Sequence, residues 1–139
     1  MLLLDTHAWI WSVEGDARRL GRRARTLVAK ADEQDRIRVS TASIFEVTAL
    51  HTAGRLHLSA GVESWLREAL AAGGTRLAEI TPTIAIDAGT IPRTALADPL
   101  DRLIVATARQ LDATLLTADA QILRYASRTG NVRVQAAAV

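Results

Sequence analysis

Met1-Leu2-Leu3-Leu4-Asp5-Thr6 opens the chain as an apolar run that ends at a carboxylate. A second run, Thr114-Leu115-Leu116-Thr117, follows the same pattern and leads to Asp119. Short apolar runs without polar alternation predict strands that are buried on both faces, as in a parallel sheet covered by helices. Carboxylates that follow such strands are expected at the carboxyl edge of the sheet, where open α/β sheets bind their ligands.

The segments around these two runs predict strands that alternate with helices. Further strands are predicted at 37–39, 77–80 and 132–134, with helices at 6–13, 18–31, 40–53, 60–72, 82–89, 99–111 and 120–127. This alternation predicts an α/β fold, a three-layer α/β/α sandwich with a mostly parallel sheet of four or five strands. The length of 139 residues, without repeats or linkers, predicts a single domain, 1–139.

The composition excludes several classes of protein. The chain has no cysteine, which removes disulfides, thiolate zinc sites and cysteine nucleophiles. No apolar run approaches the roughly 18 residues of a membrane span, and the opening run is too short for a signal peptide. These features predict a cytoplasmic protein with no membrane association.

Four carboxylates are expected to meet at the carboxyl edge of the sheet. Two follow the apolar runs, and two lie near the starts of predicted helices; they are Asp5, Glu46, Asp101 and Asp119. Clustered carboxylates repel one another unless a positive group joins them, and a hard divalent cation is the simplest candidate. The pattern therefore favours an Mg²⁺ or Mn²⁺ site that acts on phosphate esters.

Each of these acids also has a purely structural interpretation. Asp98 precedes Pro99 and is a good N-cap, with Asp101 at the third helical position of a capping box. Ser43-x-x-Glu46 fits a capping box as well, and the two acids that follow strands could each cap a helix. The interpretations are compatible, because a helix N-terminus helps to keep a carboxylate ionised.

A basic segment offers a possible contact for a polyanion. Eight basic and three acidic residues lie between Arg18 and Arg38, a net charge of +5, which leaves −3 for the rest of the chain. Lys30 is the only lysine, and arginine pairs with phosphate in a bidentate manner. The candidate RNA contacts are Arg18, Arg22, Arg23 and Arg25. The alternative is a solvated helix face with no ligand.

The ordered motifs resemble those of the PIN-domain nucleases. Leu-Leu-Leu-Asp5-Thr6, Ser43-x-x-Glu46, Asp98-Pro-x-Asp101-Arg102-x-Ile-x-Ala and Leu-Leu-Thr117-x-Asp119 occur in the family's order and span nearly the whole chain. Within that family, the chain looks most like the VapC-type ribonuclease toxins of type II toxin–antitoxin modules.

The resemblance implies a fold, an activity and a set of site residues. It makes Asp5, Glu46, Asp101 and Asp119 the quartet that holds Mg²⁺ or Mn²⁺, with Thr117 orienting a water or a carboxylate. It gives supporting roles to Thr6, Asp98 and Arg102. It further implies an endoribonuclease that cuts tRNA or rRNA by metal-activated water, leaving a 3′-hydroxyl and a 5′-phosphate. A cognate antitoxin and a homodimer are the implied protein partners.

Other functions remain as alternatives. A phosphatase with Asp5 as nucleophile, or a phospho-accepting receiver, would use a lysine near the phosphate, whereas Lys30 lies on the arginine-rich segment. A catalytically silent PIN module would bind RNA or a partner without cleavage. His7 is expected to be a surface or packing residue close to the site. Core or dimer packing is favoured over RNA stacking for the tryptophans, which are Trp9, Trp11 and Trp65.

Overall fold

Five parallel strands form one sheet in the computed structural model, which describes residues 1–139. The strands are β1 (Leu2–Leu4), β2 (Ile37–Ser40), β3 (Thr75–Ala78), β4 (Thr114–Thr117) and β5 (Val134–Ala136). Their order across the sheet is β3-β2-β1-β4-β5, and every neighbouring pair is parallel. The sequence-based prediction of a parallel α/β sheet is therefore confirmed, with five strands.

Seven helices connect the strands. They are α1 (Thr6–Glu14), α2 (Arg22–Glu33), α3 (Thr41–Thr52), α4 (Val62–Ala71), α5 (Pro82–Thr90), α6 (Pro99–Gln110) and α7 (Ala120–Thr129). Gly15 ends α1 in the left-handed conformation, with a φ of 68°, which a residue without a side chain adopts at little cost. None of the seven helices combines the length and the apolar character that crossing a membrane requires.

The sheet separates two apolar cores because side chains alternate between the faces of a strand. Leu2 and Leu4 pack with residues of α1, α2 and α4 on one face, including the buried Trp9 and Trp65. Leu3 packs on the other face with residues of α6 and α7. Both faces of β1 are thus covered, which explains why its sequence is apolar throughout and gives the three predicted layers.

Several predicted boundaries were wrong. Helix α2 begins at Arg22 after an N-cap at Gly21, so Arg18 precedes the helix. Ser40, not Ser43, is the N-cap of α3 and accepts a hydrogen bond from the amide of Ala42 at 3.0 Å. The capping box proposed for Ser43 and Glu46 is therefore absent. Strand β3 begins two residues earlier than predicted and β5 two residues later, because pairing with neighbouring strands sets their register.

The strand order places a crevice at the carboxyl ends of β1 and β4. The chain proceeds from β1 to β2 on one side, whereas β4 joins β1 from the other side. Helices that leave neighbouring strands in opposite directions open a gap at this point, and open α/β sheets bind ligands there. Asp5 follows β1 directly, and Thr117 is the last residue of β4.

Candidate functional site

An acidic cavity of about 380 Å³ occupies this crevice. Its lining includes all four acids of the predicted quartet together with Asp98, and no lysine or arginine. Residues that are far apart in the sequence are thus brought to one edge of the sheet. The lining residues are Asp5, Thr6, His7, Trp11, Glu46, Asp98, Asp101, Ile104, Ala118, Asp119 and Ala120.

Asp5 is held from both sides of its carboxylate. It is the N-cap of α1, and Oδ1 accepts the amide of Ala8 at 2.9 Å. The hydroxyl of Thr117 donates to Oδ2. The residue is only 6% exposed, so these two donors are the main replacements for water at its carboxylate. The predicted capping role and the predicted site position are therefore both found in one residue.

Thr117 connects Asp5 with the last acid of the quartet. Its Oγ1 accepts the backbone amide of Asp119 at 2.9 Å while its proton points to Asp5. Asp119 in turn caps α7, because its Oδ1 accepts the amides of Gln121 and Ile122 at 2.8 and 3.0 Å. The hydroxyl at the end of β4 thus fixes the relative positions of two carboxylates from different parts of the chain.

A second hydroxyl positions Glu46, which projects from α3. The Thr6 hydroxyl lies within hydrogen-bond distance of Glu46 Oε1 and is 3.0 Å from Ser43 Oγ. Because a hydroxyl carries one proton, we assign that proton to the carboxylate, with Ser43 donating to Thr6. Sequence reasoning placed Ser43 in a helix cap and so missed this role. The only available signal was its position one helical turn before Glu46.

The start of α6 contributes the remaining two acids. Asp98 is the N-cap of this helix, and its Oδ1 accepts the amide of Leu100 at 2.9 Å, as predicted. Asp101 lies in the first turn, but no hydrogen bond returns from it to the cap, so the predicted capping box is incomplete. Its carboxylate is therefore available to a ligand in the cavity.

Burial and mutual repulsion make two of these carboxyls weak acids. Burial raises the pKa of Asp5 to about 6, against the lowering effects of the Thr117 and Ala8 hydrogen bonds. Burial also raises the pKa of Asp101 to about 7, and the nearby negative charges, Asp119 first among them, raise it further. A cation in the cavity would favour the ionised form of both carboxyls and so lower both pKa values.

The donor chemistry of the cavity fits a hard divalent cation. No three carboxylate or imidazole groups converge closely enough here to hold one ion together. Mg²⁺, however, commonly takes only one or two carboxylates and keeps several waters, and carboxylates without a cation repel one another. The acidic lining and the raised pKa values of Asp5 and Asp101 therefore suit such an ion without forming a closed cage of protein ligands.

Several other predicted residues lie away from the cavity. Arg102 does not line it; its Nη2 is 3.4 Å from the carbonyl oxygen of Ala97, and its Nε is buried without a partner. None of the arginines predicted to contact RNA lines it either, namely Arg18, Arg22, Arg23 and Arg25.

His7 and Trp11 do line the acidic cavity, and their ring centroids are 5.8 Å apart. Trp9 and Trp65 are core residues in edge contact, as predicted, with ring centroids 5.2 Å apart. The structure therefore separates the tryptophans, because only Trp11 is both partly exposed and close to the acids. Sequence reasoning treated all three alike.

Comparisons with known proteins agree with this architecture. A family model described as PIN domain matches residues 2–128. Ribonuclease VapC22 of Mycobacterium tuberculosis (strain ATCC 25618 / H37Rv) is 37% identical over 122 residues, which cover 87% of this chain and 88% of that protein.

Solved structures with the same fold come from toxin–antitoxin complexes. VapBC2 from Rickettsia felis, bound to a promoter DNA fragment, matches with a TM-score of 0.68 and 15% identity, covering 97% of this chain and 98% of that chain. FitAcB from Neisseria gonorrhoeae matches with a TM-score of 0.63 and 22% identity, covering 98% and 97%. At such identities the structural likeness establishes the fold, whereas the family-model match and the relative in Mycobacterium tuberculosis establish common descent. The chain belongs to the PIN domain family.

Proposed function

We propose that this protein is a divalent-metal-dependent endoribonuclease, the toxin of a toxin–antitoxin pair. The observation that carries the proposal is the acidic cavity at the β1/β4 crevice, which gathers five carboxylates and no lysine or arginine. The similarity of the chain to Ribonuclease VapC22 supports RNA as the substrate. The neighbouring structures that are VapBC and FitAB complexes support an antitoxin as the partner.

We assign the quartet Asp5, Glu46, Asp101 and Asp119 as the residues that would hold Mg²⁺, for which Mn²⁺ could substitute. One or two of these carboxylates would contact the ion directly, and the others would bind it through its water molecules. When bound, such an ion neutralises negative charge on the phosphate and makes a water molecule more acidic. Asp98 carries a cap hydrogen bond, so we give it a supporting electrostatic role. A cavity with five carboxylates repels the RNA phosphate by itself, which makes the cation necessary for a phosphate to bind in this cavity.

The two hydroxyl residues prepare the carboxylates for this task. The Thr117 proton keeps Asp5 oriented and favours its ionised form. The Thr6 proton keeps the carboxylate of Glu46 oriented in the same way. In the reaction, a water oxygen forms a bond to phosphorus and the bond between phosphorus and the 3′ oxygen breaks. That oxygen takes up a proton, which leaves a 3′-hydroxyl and a 5′-phosphate.

The proposed setting of the protein follows from this activity. An RNA-cleaving toxin acts where tRNA and rRNA are found, so we place it in the cytoplasm, where a cysteine-free chain is unaffected by thiol chemistry. A homodimer is proposed as the assembly. The antitoxin would block the acidic cavity, and a basic side chain is the group that would best satisfy its carboxylates.

The test is cleavage of total cellular RNA by the purified protein, in Mg²⁺ and in EDTA, with Asp5→Asn as the inactive variant. Glu63→Gln is the matched control, because it neutralises an exposed acid on α4 that does not line the acidic cavity. We expect discrete fragments from the wild type and from Glu63→Gln in Mg²⁺ only, and none from Asp5→Asn.

Other outcomes would separate the alternatives. Fragments that persist in EDTA or with Asp5→Asn would refute the site assignment. RNA binding without cleavage by folded protein in Mg²⁺ or Mn²⁺ would indicate a silent PIN module. Release of phosphate from p-nitrophenyl phosphate, with no RNA fragments, would favour a phosphatase. The absence of lysine and arginine from the cavity counts against that last outcome.

A further inference from the structure

A second cavity, of about 560 Å³, lies at the opposite edge of the sheet. It is lined by the beginnings of β1, β4 and β5, at Leu2, Thr114 and Val134, and by the exposed side of α2. Because all five strands are parallel, this amino-terminal edge is separated from the acidic cavity by at least the length of a strand, about 10 Å.

This amino-edge cavity has the opposite charge from the acidic cavity. Four cationic side chains line it and no acidic one does; they are Arg23, Lys30, Arg36 and Arg133. They come from three separate places in the chain, since two project from α2 and the others directly precede β2 and β5. The fold therefore collects positive charge here that the sequence distributes over more than 100 residues.

Most of this charge is not neutralised within the protein. Arg133 is the exception, because it donates to the Asp112 carboxylate at 2.8 Å and to the Asp112 carbonyl at 2.6 Å. Arg23, Lys30 and Arg36 form no ion pair. Asp35, the acid next to Arg36 in the sequence, forms an ion pair with Arg76 instead.

The spacing of these cations indicates the shape of the anion. Arg23 and Lys30 are two turns apart on α2, about 10 Å along the helix axis. Successive phosphates of one strand match this spacing better than a single phosphate group does. Arginine also contacts phosphate with two parallel hydrogen bonds, which suits a nucleic acid backbone.

We propose that the amino-edge cavity is a second RNA-binding site, which contacts the phosphate backbone of the same RNA that is cleaved at the acidic cavity. This inference rests on the proposed ribonuclease function. The site takes RNA strands without regard to sequence, because its contacts are to phosphates. It adds affinity only for an RNA long enough to pass from one edge of the sheet to the other.

The first measurement is the affinity for a 30-nucleotide stem–loop RNA in EDTA, as a function of salt concentration. The test variant replaces three unpaired cations by glutamine: Arg23→Gln, Lys30→Gln and Arg36→Gln together. The control removes the same charge from exposed arginines that line neither of the two cavities and form no ion pair, namely Arg55→Gln, Arg67→Gln and Arg128→Gln.

We expect the slope of log affinity against log salt to become shallower by about two to three in the test variant, since each of the three lost phosphate contacts contributes about 0.7 to 0.9. Its affinity should fall about tenfold or more at moderate salt. The control should keep the wild-type slope. The proposal would be overturned if the test variant kept the wild-type slope, or if the slopes of the test and control variants changed by the same amount.

A second arm separates this inference from the proposed function. In Mg²⁺, the test variant should cleave a five-nucleotide RNA with wild-type kcat and KM, but should show a raised KM for the stem–loop. If the wild type cleaves no RNA, the proposed function fails, whereas normal cleavage with an unchanged stem–loop KM refutes the second site alone. If a decamer of glutamate binds the amino-edge cavity more tightly than RNA does, the proposal is overturned in favour of an acidic protein segment. If the cavity binds inorganic phosphate but not RNA, the proposal is overturned as well.

Discussion

Replacement of Asp5 by asparagine should stabilise the metal-free protein while it abolishes cleavage. Asp5 is 6% exposed, and the pKa of its carboxyl is raised to about 6 from 3.8, mainly by burial. Each pKa unit corresponds to about 1.4 kcal/mol, so ionised Asp5 costs the folded state roughly 3 kcal/mol above pH 7. Relaxation of the site lowers this cost, and we expect a gain of about 1 to 3 kcal/mol for Asp5→Asn.

The local hydrogen bonds allow this substitution. Asparagine is as good an N-cap as aspartate, so its Oδ1 can still accept the Ala8 amide. Its amide group can donate to Thr117, which then has to turn its own proton elsewhere. The variant therefore removes a buried charge at constant size without creating a cavity.

The pH dependence has a definite sign. Between about pH 4 and pH 6 the native wild type binds more protons than the unfolded chain, because the folded pKa is the higher one. The wild-type free energy of unfolding therefore falls as pH rises through this window and stays low above it. Asp5→Asn does not lose stability in this way. The difference in free energy of unfolding between Asp5→Asn and the wild type should therefore be largest near pH 8 and should vanish near pH 4.

Thermal unfolding in EDTA at pH 4, 6 and 8 measures the effect. For a chain of this size, a gain of 1 kcal/mol raises Tm by about 4 °C. Glu63→Gln should shift Tm by less than about 2 °C, as is usual for an exposed site. In Mg²⁺ the wild type should gain stability and Asp5→Asn should not. A variant that unfolds below the wild-type temperature at pH 8 in EDTA would refute the reasoning, since the hydrogen bonds of Asp5 would then outweigh its burial.

Three further predictions concern the remaining acids and their hydroxyl partner. Thr117→Val should weaken Mg²⁺ binding by about 10- to 100-fold in calorimetry, because the hydroxyl orients Asp5. Thr117→Ser keeps the hydroxyl and should bind Mg²⁺ nearly as well as the wild type; an equal loss of Mg²⁺ affinity in both variants would contradict this role. Asp119→Asn should retain the α7 cap and lose cleavage, whereas Asp119→Ala should also lose about 1 kcal/mol in denaturant unfolding. The rate of RNA cleavage should rise with pH between about 5 and 8, because Asp5 and Asp101, with pKa values of about 6 and 7, must be ionised to bind a cation; a flat profile would argue against carboxylate ligands.

The roles of the two cavities have a consequence for inhibition. An antitoxin that covers only the acidic cavity would stop cleavage but leave the amino-edge cavity open to RNA. An inhibited complex of this kind would still bind RNA, with a salt dependence set by the cations of the amino-edge cavity. Measuring RNA binding by the inhibited complex would therefore show whether the partner covers one edge of the sheet or both.

Much of the fold was predictable because it depends on local patterns. The apolar runs at 2–4 and 114–117 were recognised as strands, since short runs without polar residues are typical of parallel strands covered on both faces by helices. The caps at Asp5, Asp98 and Asp119 were predictable for the same reason, because a carboxylate and the amides two or three residues later interact within one turn. The order of the acids along the chain then indicated the family and a site at the carboxyl edge.

Contacts between distant segments were not predictable from these patterns. The sequence does not indicate that Thr117 bonds to Asp5, 112 residues away, or that Ser43 supports Glu46 through Thr6. Nor could it separate Trp11, which lines the acidic cavity, from the buried tryptophans.

The basic segment gives the clearest contrast between sequence and structure. Its arginines were expected beside the acids, but Arg23 lies at the amino edge of the sheet, together with Arg36 and Arg133. The sequence by itself determined the elements, their caps and the acids that follow the strands, because hydrophobic periodicity and capping act over a few residues. The tertiary structure alone decided which side chains share a cavity, because the order of the strands and the packing of helices on both faces depend on contacts between segments that are far apart in the chain.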